Sequence, residues 1–152
     1  MKDKDLLTIR HLRSNARIPL TELSKKTNIA VSTLYDRLKG YRQSVIKRYT
    51  VLLDFNSLGY YTRATIVLKV KNEQKNEIAQ FLSSHPTMNS LYKINNGYDF
   101  LFEGVFKQLK DMEEFMEALD NKFVIKSKQV YYIIEELKKE SFMDGDIIWL
   151  DK

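Results

Sequence analysis

Residues Leu20–Tyr49, "LTELSKKTNIAVSTLYDRLKGYRQSVIKRY", hold two short helical patterns and a knot of positive charge. Leu20, Leu23 and Ile29 share one core face and predict a helix over about Leu20 to Thr27, opened by Pro19, whose fixed φ suits a helix start. Asn28 tolerates the left-handed conformation that ends a helix. Ser32 is a good N-cap for a further helix, in which Leu34 and Leu38 lie four apart and face inward. Thr33, Tyr35, Asp36, Arg37 and Lys39 then point the other way. A tight turn between two such helices, preceded by a third, reads as a helix-turn-helix. Its outward row is what a helix needs to reach base edges and phosphates in a DNA groove.

The preceding helix is predicted from Asp5 to about Ser14, with Leu6, Leu7, Ile9 and Leu12 as its apolar stripe, acidic residues early and Arg13 late. Charge divides along the chain in the same place. Residues 1–49 hold 12 Lys and Arg against 4 Asp and Glu, a net of +8, whereas residues 50–152 hold 13 against 16, a net of −3. Such asymmetry points to two modules, the basic one facing a polyanion, because each phosphate contact gains from counterion release. The plainer reading of the same charge is a solvated face, with Thr33 as a cap and Arg37 in a surface pair.

Beyond Tyr49 the period changes. "IKRYTVLLDF" and "TRATIVLKVK" are rich in β-branched and aromatic residues and read as strands, the second with Ala64, Ile66, Leu68 and Val70 on one face; "DFNSLGYY" between them is a loop. "NEQKNEIAQFLSSHP" is a helix with Ile78, Phe81 and Leu82 on one side. "MNSLYKIN" and "YDFLFEGVF" are strands joined around Asn96-Gly97, the strongest short-range hairpin signal in the chain. Leu109, Met112, Phe115, Met116 and Leu119 form a second helical stripe, core packing rather than a cofactor box, and "VIKSKQVYYIIEEL" returns to strand. Strand, helix, strand, strand, helix, strand is the ferredoxin-like order. The fold class is therefore α+β, a winged-type helix-turn-helix followed by a βαββαβ domain. The expected divisions are 1–48 for the DNA-binding module, 49–61 for a linking strand and loop, 62–137 for the ferredoxin-like domain and 138–152 for an extension. In that extension the apolar "IIWL" calls for an added strand or a partner contact anchored by Trp149.

Several classes find no support. With no cysteine the chain has neither a disulfide framework nor thiolate metal sites, and the N-terminal residues lack the apolar run of a secretory signal. No apolar stretch approaches the roughly 20 residues of a membrane span, so a soluble cytoplasmic protein is the expectation. Only His11 and His85 are present. The first falls within a helix and the second at a helix end before Pro86, where solvated or capping roles are commoner than catalysis. The expectation is no enzyme, no cofactor and no metal site.

The order of "KDLLTIRHLRSNARIPLTELSKKTNIAVSTLYDRLKGYRQSVIKRYTVLLDFNSLG" and, later, "LYKINNGYDFLFEGVF" resembles the leucine-responsive and asparagine-linked regulators, the Lrp/AsnC or feast/famine family, over roughly residues 3–137. The resemblance implies a sequence-specific regulator of transcription that binds double-stranded DNA as a homodimer, often assembled into tetramers or octamers, with an amino acid as effector. It places Ser32, Thr33, Tyr35 and Arg37 in the recognition helix, and Lys47, Arg48 and Tyr49 where the chain leaves it; Lys39 and Arg42 join the expected DNA contacts by position and charge. It also places Asn95, Asn96, Gly97, Tyr98 and Asp99 on the effector-binding turn. Two departures stand out. Ser44 replaces the glycine usual before "VI", in a segment about one residue short, and Asn96 holds the glycine position of the effector turn with Gly97 after it. Asn is the next best residue for a positive φ. An ordinary hairpin, with Asp99 satisfying backbone donors, is the plain reading of "NNGYD". Two other functions stay open beside the regulator: an architectural DNA-binding protein with little sequence preference, and, more remotely, a decarboxylase-like enzyme on the same fold.

Overall fold

The computed structural model describes residues 3–144, so Trp149 and its neighbours lie outside the described residues. Two compact units emerge. One, the helical unit, contains the residues up to Leu52 together with the described residues from Leu137 onward; the other, the sheet unit, is Leu53–Glu136.

The helical unit is built on α1 (Asp3–Ser14), α2 (Leu20–Thr27) and α3 (Val31–Gln43). Leu23, Ile29 and Leu34 are buried at its centre, with Leu12, Ile18 and Leu20 packed against them. Pro19 stands at the N-cap of α2 with extended backbone, and Asn28 closes that helix at φ 52°, its N–H donating to the Ser24 carbonyl. The left-handed residue predicted from sequence is therefore present, and it turns the chain within three residues into α3. The helix α3 opens at Val31 behind Ala30, not at a Ser32 cap, and no side chain caps it.

Helix α1 corrects the expected stripe. Leu6, Leu7 and Ile9 are only half-buried, whereas Thr8 is fully buried and donates from Oγ1 to the Lys4 carbonyl. The inward row is Asp5, Thr8 and Leu12, at helical spacing, because Asp5 is drawn inward by partners on α3. The hydrophobic pattern alone could not show this polar anchor.

The sheet unit contains β1 (Thr62–Val70), α4 (Lys75–Ser84), β2 (Met88–Lys93), β3 (Phe100–Phe106), α5 (Leu109–Lys122) and β4 (Ile125–Tyr132). Its four strands are antiparallel in the order β2-β3-β1-β4, the ferredoxin-like topology. Ala64, Ile66, Leu68 and Val70 alternate onto the covered face as expected, with Leu68 opposite Phe100, Ile66 opposite Phe102, and Phe106 joining the same core. Helix α4 adds Ile78 and Leu82, and α5 adds Met112, Phe115, Met116 and Leu119. Leu109 was expected in that stripe, yet it is 47% exposed, because as the first residue of α5 it has no preceding helical turn to aim it at the sheet. Gly104 leaves room for the Phe106 ring, whose nearest atom would stand 2.6 Å from an added Cβ.

The strand expected in "IKRYTVLLDF" is absent from the described chain. Residues 46–54 have no ladder partner, and Val51, Leu52 and Leu53 are 68%, 62% and 53% exposed. Their β propensity is real, but a strand needs a second strand to pair with, and the chain supplies none there.

Candidate nucleic-acid interface and effector turn

The outer side of α3 gathers most of the predicted contact residues. Ser32, Thr33, Tyr35, Lys39 and Arg42 are exposed, and Lys47 and Arg48 are exposed just beyond the helix. Lys39 lies one turn after Tyr35, with its ammonium 4.4 Å from the ring centroid, and the Arg42 guanidinium lies 5.2 Å from the Tyr49 ring. These cation–π contacts hold two long, mobile side chains near the helix surface while leaving their charge in water. The first turn of α3 contains no acidic residue, so its open N–H groups and the positive end of the helix dipole face outward beside Ser32 and Thr33.

Arg37 differs from that row. Its Nη1 donates to Asp5 Oδ1 at 2.7 Å, and the Tyr41 hydroxyl donates to the same oxygen at 2.6 Å. Rather than pointing freely outward, Arg37 braces α3 against α1. Tyr41, which sequence reading did not single out, is 8% exposed; its place seven residues after Leu34 and three after Leu38 was the available signal. Burial pushes the Tyr41 hydroxyl pKa up, as do the bond to and charge of Asp5, with Arg37 opposing them. The Tyr41 carbonyl then ends the helix by accepting from the N–H groups of Ser44, Val45 and Ile46 at 3.2, 3.0 and 2.8 Å. Ser44 sits at φ −126°, where a glycine brings no advantage.

In the sheet unit, the turn from Asn95 to Asp99 joins β2 to β3. Asn96 and Gly97 have φ of 62° and 86°, so asparagine does adopt the left-handed conformation at the position where a glycine is usual. Asn95, Asn96 and Gly97 are exposed, while Tyr98 and Asp99 are half-buried. Asp99 is held on three sides. Its Oδ1 pairs with Lys75 Nζ at 2.6 Å, its Oδ2 accepts from the Val70 N–H at 2.9 Å, and its own N–H donates to the Leu68 carbonyl at 2.8 Å. Lys69 Nζ donates to the Gly97 carbonyl at 2.8 Å. Burial alone would raise the Asp99 pKa, but the bond to Lys75, the Val70 N–H and the charges of Lys75 and Lys69 outweigh it and hold the carboxyl below its ordinary value. The turn is thus a preformed loop fastened to β1 and α4. Lys69 and Lys75 could not be found from sequence, since both contacts bridge more than twenty residues.

His85 packs edge-on against Phe115 with ring centroids 4.7 Å apart, its Nδ1 is 2.8 Å from Thr87 Oγ1, and burial lowers its pKa. His11 is lowered by burial and by the charges of Lys26 and Arg10. No helix among the described residues is long and apolar enough to cross a membrane.

The chain thus joins a three-helix unit with an exposed cationic third helix to a ferredoxin-like domain with a fastened β2–β3 turn. Comparison with known proteins agrees. Residues 1–39 match the winged helix-turn-helix DNA-binding model and residues 63–142 match the Lrp/AsnC ligand binding domain. The chain belongs to the Lrp/AsnC family of transcription regulators. It is 32% identical over 118 residues to the HTH-type transcriptional regulator FL11 of Pyrococcus horikoshii, covering 77% of each chain. The Pyrococcus furiosus counterpart is also 32% identical, over 78% of this chain and 80% of that one. Among solved structures, a transcriptional regulator from Neisseria meningitidis in complex with L-Met superposes with a TM-score of 0.85 at 20% identity, over 91% of this chain and 93% of that one. E. coli AsnC superposes with a TM-score of 0.83 at 16% identity, over 94% and 98%.

Proposed function

We propose that this chain is a homodimeric, sequence-specific regulator of transcription whose DNA occupancy responds to an amino acid. The exposed row on α3, continued by Lys47 and Arg48, carries the DNA half of this reading. Ser32, Thr33 and Tyr35 meet base edges, while Lys39, Arg42, Lys47 and Arg48 meet phosphates. Arg37 acts from behind, by fixing the helix that presents them.

Dimerisation is supported by the exposed Val51–Leu53 segment and by Tyr92 and Tyr131, exposed on the face of the sheet away from the helices. Burying such surface contributes about 25 cal/mol per Å². A dimer places two recognition helices about one DNA turn, roughly 34 Å, or a multiple apart, and so selects a pseudo-palindromic site. Assembly of dimers into tetramers or octamers gives the effector a second equilibrium to bias.

The effector half rests on the turn Asn95, Asn96, Gly97, Tyr98 and Asp99, together with the L-Met complex of the Neisseria relative. Asp99 and Lys75 shape that turn, and its exposed backbone meets the ligand. Catalysis is not part of this reading, since His85 is engaged with Phe115 and Thr87.

The test is a titration of purified protein against random and promoter-derived duplexes at two salt concentrations, with and without an amino-acid mixture. Tight binding that depends on sequence and shifts with amino acids is the expected result. Binding indifferent to both makes the protein architectural, and no binding reopens an enzymatic role.

A further inference from the structure

The chain passes between its two units twice, once after Leu52 and again after Glu136. After the second passage it fastens to the C-terminal end of α1. Arg13 Nη2 donates to the Glu140 carbonyl at 2.5 Å and lies 3.3 Å from the Glu140 carboxylate, while Arg13 Nε donates to the Phe142 carbonyl at 3.1 Å. Ser14 Oγ donates to Asp144 Oδ1 at 2.5 Å, and the Asp144 N–H closes a turn on the Ser141 carbonyl at 3.2 Å. Glu140 and Met143 have φ of 49° and 64°. A side chain is costly in that conformation, so the loop is bent against its own preference and held by its contacts with α1.

We propose that Glu140–Asp144 is an acidic latch on the end of α1, which closes a second tether between the helical and sheet units and thereby limits the half-site spacings that a dimer accepts on DNA. With one tether, a small unit swivels about its linker; with two, it loses most of that freedom, and ordering that DNA binding must otherwise supply is already in place. The charges suit this role. Glu140 and Asp144 approach the most basic part of the chain, and the Arg13 and Glu140 side chains, 37% and 57% exposed, keep the latch near solvent, where it can open. The spacing role rests on the dimeric DNA reading above, whereas the latch itself does not.

The test uses the full chain as wild type, as Arg13→Glu, and as Arg13→Lys. Hydrogen exchange across residues 140–144 should accelerate roughly tenfold in Arg13→Glu, as loss of two or three surface contacts predicts, and less in Arg13→Lys, which keeps a cationic donor for the Glu140 carbonyl and carboxylate. Duplexes enriched from a random pool on the wild type are then rebuilt with about half a helical turn, roughly 5 base pairs, inserted between half-sites. The wild type should lose binding sharply, Arg13→Glu several-fold less, and Arg13→Lys should fall between them. Unchanged exchange in Arg13→Glu overturns the latch. Faster exchange with an unaltered spacing profile overturns the tethering role. If the wild type binds no duplex at all, the spacing role falls together with the dimeric DNA reading, while the exchange result stands by itself.

Discussion

In the sheet unit fourteen buried residues fill one continuous core, whereas the helical unit buries a cluster of three and completes its interior with Thr8, Thr27 and the Asp5–Arg37–Tyr41 cluster. Apolar packing tolerates no voids but asks little of geometry beyond volume. A shared carboxylate demands that two helices keep their register. The helical unit is therefore held by directional bonds, and the sheet unit by bulk. The largest test of this contrast is Phe102→Ala, which should cost about 3–5 kcal/mol in urea denaturation followed by circular dichroism. A loss below about 1 kcal/mol would show that the aromatic core around Phe115 is not what stabilises the sheet.

Next in size is Arg37→Ala. It removes the cationic partner of the Asp5 carboxylate, which is only 18% exposed, and should destabilise the helical unit by about 1–3 kcal/mol. DNA affinity should fall with it, but the salt dependence of binding should keep its slope, because no phosphate contact is lost. A changed slope with unchanged melting would return Arg37 to the groove.

Alkalinity should separate the two units, whereas acid should weaken both. The folded Asp99 carboxyl has a depressed pKa, so its contribution is present above the unfolded value and is lost as pH falls through the folded one. His85, also depressed, favours the sheet unit above its ordinary value and ceases to do so on acidification. Tyr41 is raised, so its contribution is fully present below the unfolded value and is lost as pH rises through the raised folded one. Residue-resolved hydrogen exchange should therefore show an alkaline loosening centred on α1 and α3. Tyr41→Phe should abolish that limb, and a limb that persists would place its origin elsewhere. His11 adds an acid limb to the helical unit in the same sense as His85.

The smallest expected effect is Lys47→Ala. Melting should be unchanged, affinity should fall alike for all sequences, and the slope of log affinity against log salt should shrink by about 0.9. A sequence-dependent loss would make Lys47 a base contact.

Much of this architecture was legible because local chemistry and global fold agree. Pro19 and Asn28 bound α2 at Leu20–Thr27 as read, the alternation of β1 places all four expected residues in the core, and Asn96-Gly97 forms the turn its residues favour. Errors arose where a distant partner decides the outcome. "IKRYTVLLDF" has strand composition without a strand beside it. The Arg37–Asp5 pair across 32 residues and the Lys75 partner of Asp99 were equally invisible, whereas the plain reading of Asp99 as an acceptor for backbone donors holds at the Val70 N–H. Helical and strand periods carry no information about such pairings. The exposed row of α3 was easier to read because exposure is the default for charged residues, and Lys39 and Arg42 are exposed.

The bonds from Arg13 and Ser14 to Glu140, Phe142 and Asp144 span 127 to 130 residues. On a ribosome, α1 to α3 emerge first, and their last contacts must wait until the whole sheet unit has been synthesised. Chains still being made thus carry an α1 whose Arg13 and Ser14 have no acceptors yet in that loop, and only a completed sheet unit brings the residues that supply them.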